Sequence, residues 1–494
     1  MLDGHRDPTD EINLEIVKTR TVSGVLALTT RTMLLQIISF VAFAFYGAFF
    51  ATAQFGTYAI VLAARNFLGY FSDIGLAGAL IQKKDRLEDS DLKTTFLIQQ
   101  VLVILLLVVL YLLTPTLISY YQLTREGVFL LWAFGLSLFL SSLKTIPSVI
   151  LERKLEFTKL IIPQIVEAIV FNGLVIYLAS QGFGLTSFTI AVIAQGVIGL
   201  VILYYLCPWV PGVAFSKSSL KSLLKFGVPY QLNTFLAMVK DDGLTLVLGS
   251  ILGPAGIGLL TWAQKWGFAP LRFFMDQVIK VTFPAYARLQ DNKEELNKAV
   301  GRSIFFICFL VFPSLVGLVI LSPLLITIVP RYSQWEPALL ALSFFAVNAA
   351  FAAVSTPLTN LFNAIGKISV TFKLMIMWTV LSWAIMPYLA IKYSVTGAAL
   401  GSALVSTSSI VVIYLARKYI SFNFLTSVIK PLLAAIGMGV ILFITRGMMA
   451  PSIQWVLVLV VFGSLTYLLG IILLVGQSVI TDIRKVFNAT LRKK

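Results

Sequence analysis

The sequence predicts an all-α polytopic membrane protein with about 14 transmembrane helices. Apolar segments of about 20 residues, the length that crosses ~30 Å of hydrocarbon, recur along most of the chain. Hydrophobic residues make up 58% of the 494 residues and charged residues 12%, whereas a soluble protein has about 25% charged residues. The sequence lacks the alternation of apolar and polar residues that indicates a transmembrane β-barrel.

The spans are predicted from these apolar segments in chain order. They cover residues 23–49, 55–80, 94–114, 127–150, 159–180, 186–208, 226–250, 256–284, 300–329, 336–363, 368–391, 395–416, 431–447 and 453–476. An even number of spans places both termini on one side of the membrane.

The basic residues between the spans indicate which side this is. With the N-terminus inside, the inner loops and tails hold 27 Lys and Arg residues, and the outer loops hold only Arg125, Arg331, Lys392 and Arg446. The positive-inside rule therefore predicts a protein of the cytoplasmic (inner) membrane with both termini in the cytoplasm. The net charge of +16 then reflects topology, and nucleic acid is not a predicted partner.

The sequence lacks the residues that a catalytic triad, a histidine metal site or a phosphate-binding loop would require. The single histidine, His5, lies in a polar tail, which excludes a Ser-His-Asp triad in the membrane domain and argues against a histidine metal site. No GxxxxGK[ST] phosphate-binding loop occurs. We therefore predict that the protein is not an enzyme and has no metal or cofactor, while coupling to H⁺ or Na⁺ remains open.

Charged residues lie inside the predicted spans, where each costs about 2.5–3.5 kcal/mol on insertion scales. Lys265, Arg272, Asp276 and Lys280 are spaced 7, 4 and 4 residues apart and so share one face of the eighth span. A stripe of this kind is too costly to face lipid, and we expect it to face a water-filled cavity. The seven basic residues of the spans are Arg31, Arg65, Lys144, Lys240, Lys265, Arg272 and Lys280, and the five acidic ones are Asp73, Glu167, Asp241, Asp242 and Asp276.

An internal repeat predicts the domain organisation. Gly56 and Gly258 are 202 residues apart, and Asp73 and Asp276 are 203 apart, so that two six-span halves run parallel. The predicted domains are a cytoplasmic tail (1–22), an N-lobe with spans 1–6 (23–208), a cytoplasmic linker (209–225), a C-lobe with spans 7–12 (226–416), two extra spans (417–476) and a second cytoplasmic tail (477–494).

Short motifs in a fixed order resemble those of the bacterial polysaccharide transporters, the Wzx-like flippases of the MATE/MOP superfamily. The motifs are Phe55 to Tyr58 (FGTY), Asp73 to Leu76 (DIGL), Pro147 to Phe157 (PSVILERKLEF), Asp241 and Asp242 with the glycines after them, and Phe283 and Pro284 with Arg288 to Asp291 (RLQD). The resemblance covers most of residues 15–420.

The resemblance implies two six-helix lobes around a cationic cavity and alternating access. The implied function is translocation of undecaprenyl-pyrophosphate-linked oligosaccharide units for surface polysaccharide, whether O-antigen, exopolysaccharide or a teichuronic-type polymer. Membrane lipids, a polysaccharide polymerase and glycosyltransferases are the other implied partners. The candidate ligands of the pyrophosphate headgroup are Arg31, Arg65, Lys144, Lys265 and Arg272, with pairing to acids inside the membrane as the alternative.

The seventh span adds a second candidate site. Thr234, Asp241 and Thr245 are spaced 7 and 4 residues apart on one face, and Lys240 and Asp242 flank Asp241. This polar face could bind sugar hydroxyls or a coupling ion, or Lys240 could pair with an acid and fix helix packing.

Three alternatives to this function remain open at the level of sequence. The same fold could serve an ion-coupled exporter of small molecules or a lipid II flippase. A membrane-embedded glycan polymerase or ligase would need catalytic groups in sizeable outer loops, but most outer loops here have about ten residues or fewer.

Overall fold

The computed structural model describes residues 14–83 and 87–476, and all regular structure in these residues is helical. The predicted tail residues 1–13 and 477–494 lie outside the described residues. The α-helices are α1 (Leu14–Phe49), α2 (Thr52–Tyr70), α3 (Leu76–Gln82), α4 (Asp89–Tyr121), α5 (Arg125–Arg153), α6 (Phe157–Ser180), α7 (Thr186–Leu206), α8 (Lys217–Met238), α9 (Leu244–Leu289), α10 (Lys293–Ile328), α11 (Leu339–Ala364), α12 (Ile368–Thr407), α13 (Ser409–Ala416), α14 (Lys430–Thr445) and α15 (Ile453–Val475). Thus α1 begins inside the predicted tail of residues 1–22.

Eleven helical segments of the described residues are long and apolar enough to cross a membrane. Two of them hold a break: α9 at Gly253, and α12 at Tyr393 and Ser394. Each of these two corresponds to two predicted spans. The remaining predicted span contains α2, which is not among the eleven and carries Arg65 and Asn66. The predicted fold class, an all-helical membrane protein with about 14 transmembrane helices, is confirmed.

The second predicted span, residues 55–80, is not one continuous helix in the structure. It consists of α2 and α3, separated by residues 71–75. The Asp73 carboxylate accepts a hydrogen bond from the backbone N–H of Ala77 at 3.1 Å and so binds the N-terminus of α3. Ile74 and Gly75 have φ angles of 48° and 76°, which an α-helix does not contain. Asp73 therefore starts a helix rather than lying within one.

The chain forms two compact units, residues 1–258 and residues 259–494. The division falls inside α9, five residues after its break at Gly253. Accordingly, α8 and the start of α9 belong to the first unit. The two six-span lobes remain a prediction about the repeat.

Two backbone crossings hold helices together in the first unit, and glycine forms both. A Cβ atom added to Gly56 of α2 would lie 1.7 Å from the carbonyl oxygen of Pro254, and one added to Gly258 would lie 2.0 Å from the carbonyl oxygen of Thr52. A Cβ atom added to Gly75 would lie 2.3 Å from the carbonyl oxygen of Gly227 in α8. Glycine is therefore needed at these positions for the helices to approach so closely.

The core of the second unit is built from α10, α11, α14 and α15. Ile304, Ala349, Ala435 and Leu459 contribute one fully buried side chain from each of these helices. The two helices that follow the predicted repeat are thus part of this core. Outward-facing side chains are apolar, such as Leu473 with 84% exposure, as expected for contact with lipid.

Candidate functional site

A π-helical turn, Val239–Gly243, joins α8 to α9 and contains three consecutive charged residues. Such turns have i→i+5 hydrogen bonds and occur frequently at functional sites. Lys240 Nζ lies 2.7 Å from Asp241 Oδ1, in an ion pair between adjacent residues. The Thr245 hydroxyl donates to the Asp241 backbone carbonyl at 2.8 Å. The Asp241 side chain is 68% exposed, which leaves its carboxylate accessible to a second ligand.

Residues of α2 pack against this turn. Asn66 Nδ2 donates to Asp242 Oδ1 at 3.1 Å, and Asn66 Oδ1 accepts from Arg65 Nη1 at 3.3 Å. Arg65 is half-buried, and its Nε is buried without a hydrogen-bond partner in the described part of the chain. The guanidinium therefore has unused donors inside the membrane domain.

One helical turn further along, Tyr70 and Gln231 join α2 to α8. The Tyr70 hydroxyl donates to the backbone carbonyl of Gln231, and Gln231 Nε2 donates to the backbone carbonyl of Tyr70 at 2.9 Å. This reciprocal pair joins α2 to α8 independently of Asn66, and the Gly75–Gly227 crossing adds a contact between α8 and the N-terminus of α3.

A separate ion pair connects α5 and α6. Lys144 Nζ lies 2.6 Å from Glu167 Oε1, with the two side chains 18% and 14% exposed. Gly199 of α7 provides the space, since a Cβ atom there would lie 1.6 Å from Glu167 Oε1. Lys144 is thus the one predicted headgroup ligand in the first unit whose charge a carboxylate already balances in the described residues.

Arg31 is the remaining basic candidate of the first unit. It lies in α1 and is half-buried, and its Nε, like that of Arg65, has no hydrogen-bond partner in the described residues. Thr234 lies in α8, but its side chain is outside the described part of the structure.

In the second unit, α9 carries the predicted charged stripe. Lys265, Arg272 and Lys280 are exposed on the surface of this unit, whereas Asp276 is half-buried. Leu271 and Met275, which lie about 100° around the helix from Arg272 and Asp276, are buried in the unit's interior. The helix therefore packs through its apolar face and leaves the basic face accessible, as the spacing of the residues predicts.

Sequence reasoning did not single out Asn66, Tyr70 or Gln231. Each is uncharged, so the distribution of formal charge in the predicted spans does not mark it. The available signal is a group of polar side chains at positions 65, 66 and 70, within about two helical turns of a predicted span.

The family model described as "Polysaccharide biosynthesis protein" matches residues 48–340. The teichuronic acid biosynthesis protein TuaB of Bacillus subtilis is 25% identical over 439 residues, which cover 85% of this chain and 88% of TuaB. The lipopolysaccharide biosynthesis protein WzxC of Escherichia coli is 23% identical over 361 residues, or 72% of each chain.

Two solved structures show the same fold. The lipid II flippase MurJ in an inward closed conformation aligns with a TM-score of 0.75 and 16% identity, covering 91% of this chain and 98% of MurJ. An inward-facing multidrug resistance MATE transporter of the MOP superfamily aligns with a TM-score of 0.57 and 16% identity, covering 80% of this chain and 97% of the transporter. Because the family model spans more than half of the chain, the protein belongs to the polysaccharide biosynthesis protein family, as the sequence motifs predicted.

Proposed function

We propose that this transporter moves undecaprenyl-pyrophosphate-linked oligosaccharide units from the inner to the outer leaflet of the cytoplasmic membrane by alternating access. The main support for this proposal is the environment of Arg65. Its half-buried guanidinium donates a hydrogen bond to the Asn66 amide oxygen and has no carboxylate within 4.0 Å in the described residues. A cation kept in this way favours an anionic ligand, and a pyrophosphate is the anion of the proposed substrate. In the second unit, Lys265 and Arg272 are exposed basic side chains about two turns apart on α9, and they could contact the same kind of anionic ligand.

The proposed roles follow the environment of each side chain. Arg31, Arg65, Lys265 and Arg272 contact the pyrophosphate in the course of its passage. Lys144 is a weaker candidate because Glu167 already pairs with it. Lys240, Asp241, Asp242 and Thr245, together with Thr234, bind sugar hydroxyls or a coupling cation.

We expect Arg65→Ala and Lys265→Ala each to slow translocation by about tenfold or more, because a hydrogen bond to a charged group contributes about 1.5–3 kcal/mol and 1.4 kcal/mol corresponds to a factor of ten. The measurement uses proteoliposomes with a fluorescent undecaprenyl-pyrophosphate oligosaccharide, whose appearance in the outer leaflet is followed by chemical quenching. Arg65→Lys, which keeps the charge, should recover part of the rate.

The control is Arg302→Ala, at an exposed position near the start of α10, which should translocate at the wild-type rate. Wild-type rates in Arg65→Ala, Lys265→Ala and their double variant would contradict the headgroup role. Lipid II in the same assay distinguishes the substrates, since it shares the pyrophosphate and differs in its sugars. Faster movement of lipid II would favour that flippase activity instead.

We propose that both termini lie in the cytoplasm, on the strength of the 27 inner and four outer basic residues. A membrane-impermeant thiol reagent applied to intact cells should label Lys392→Cys and leave Arg288→Cys unlabelled. Both positions are exposed, whereas the native Cys207 and Cys308 are buried, which keeps the background low. Labelling of Arg288→Cys with protection of Lys392→Cys would reverse the orientation.

A further inference from the structure

The orientation of the Asn66 carboxamide follows from the chemistry of its two partners. An arginine side chain can only donate hydrogen bonds, and an ionised carboxylate can only accept them. The amide oxygen must therefore face Arg65 and the amide nitrogen Asp242, as the contacts of 3.3 Å and 3.1 Å have them. The opposite orientation would lose both hydrogen bonds.

Asn66 thus lies between a cation and an anion that do not pair directly. Two other acids of the first unit pair with lysines, Glu167 with Lys144 and Asp241 with Lys240. No ion pair in the described residues includes Arg65 or Asp242. Asp242 is half-buried, and its carboxylate accepts a hydrogen bond from the neutral amide of Asn66.

We propose that Asn66 is a positioning residue that lets Asp242 orient the Arg65 guanidinium without neutralising it. This inference rests on the proposed role of Arg65 in binding the pyrophosphate. A direct arginine–carboxylate pair is short, often bidentate and about twice as strong as a neutral hydrogen bond, and an incoming phosphate would have to displace it. The amide oxygen of Asn66 holds the guanidinium with a single neutral acceptor, which an anionic ligand displaces more easily.

The arrangement can be altered without separating the helices. Tyr70 and Gln231 bond reciprocally one turn away, and Gly75 crosses Gly227 beyond them. Substitutions at Asn66 therefore change the environment of Arg65 while other contacts retain the packing of α2 against α8.

The decisive variant exchanges the amide and the carboxylate, as Asn66→Asp combined with Asp242→Asn. The net charge and the amide–carboxylate hydrogen bond between α2 and the π-helical turn are kept, but Arg65 now faces a carboxylate directly. We expect the thermal unfolding temperature to stay at the wild-type value and the affinity for inorganic pyrophosphate to fall about tenfold or more, the effect of one charge-assisted hydrogen bond. Isothermal titration of the detergent-solubilised full chain measures this affinity.

Wild-type pyrophosphate affinity in the exchanged variant would show that Asn66 serves only packing and would overturn the inference. Asn66→Leu is a second test, since it removes both hydrogen bonds without adding charge, and unchanged affinity there would also overturn it. Asn172→Asp on α6 controls for a new carboxylate, because Asn172 bonds Tyr46 and not Arg65. Failure of the wild-type protein to bind pyrophosphate would instead refute the proposed function, so that the two failures are distinguishable.

Discussion

Gly56→Ala is expected to destabilise the protein by about 3 kcal/mol or more and to abolish export. The added Cβ would lie 1.7 Å from the carbonyl oxygen of Pro254 and 2.8 Å from the backbone nitrogen of Gly258. Overpacking typically costs about 1–3 kcal/mol when side chains can shift. Here the neighbouring atoms belong to the backbone, so α2 and the start of α9 would have to move apart.

Thermal unfolding in detergent and the amount of protein in the membrane measure this effect. The matched control is Gly173→Ala in α6, where an added Cβ meets nothing within 4 Å. The control should be neutral or slightly stabilising, since alanine is favoured over glycine in helices by about 1 kcal/mol. A wild-type unfolding temperature and normal export in Gly56→Ala would refute the close crossing.

Glu167→Met is expected to cost about 3–5 kcal/mol, because it leaves the Lys144 ammonium within the membrane domain without its anion. Lys144→Met should cost a similar amount for the opposite reason. The double variant Lys144→Met with Glu167→Met should recover most of the stability, since replacing a buried pair by apolar residues is often neutral. The unfolding free energies of the four proteins give the coupling energy of the pair.

The same set of variants decides between the two interpretations of Lys144. Normal translocation by the stable double variant assigns Lys144 a structural role, whereas loss of translocation assigns it to substrate binding. Glu294→Met is the control, because Glu294 and Lys298 pair at the surface with 78% and 48% exposure, where an ion pair contributes little to stability. Equal losses at Glu167 and Glu294 would contradict the buried character of the Lys144 pair.

The fold could be predicted from sequence because hydrocarbon thickness fixes the length of each apolar segment. The sixth predicted span, residues 186–208, matches α7 at Thr186–Leu206. The break after α2 was missed because residues 71–75 lie in an otherwise apolar segment. That break depends on positive φ angles at Ile74 and Gly75, which a hydropathy pattern does not record.

The candidate site was predictable as a set of charges, but its contacts were not. The charged stripe of α9 follows from spacing alone, and the structure leaves Lys265 and Arg272 accessible. In contrast, the predicted common face of Thr234, Asp241 and Thr245 assumed an α-helix throughout, and the π-helical turn at Val239–Gly243 rotates the residues beyond it. The pairing of Asn66 with Asp242 joins residues 176 positions apart and required the three-dimensional structure.

The π-helical turn also affects how residue roles are transferred between homologues. A π-helical turn holds one residue more than the α-helical turn it replaces. An alignment with a relative whose helix is regular here must open a gap of one residue between Val239 and Gly243. The position of that gap decides whether Asp241 or Asp242 is matched with the relative's acid, and hence which of the two inherits its assignment.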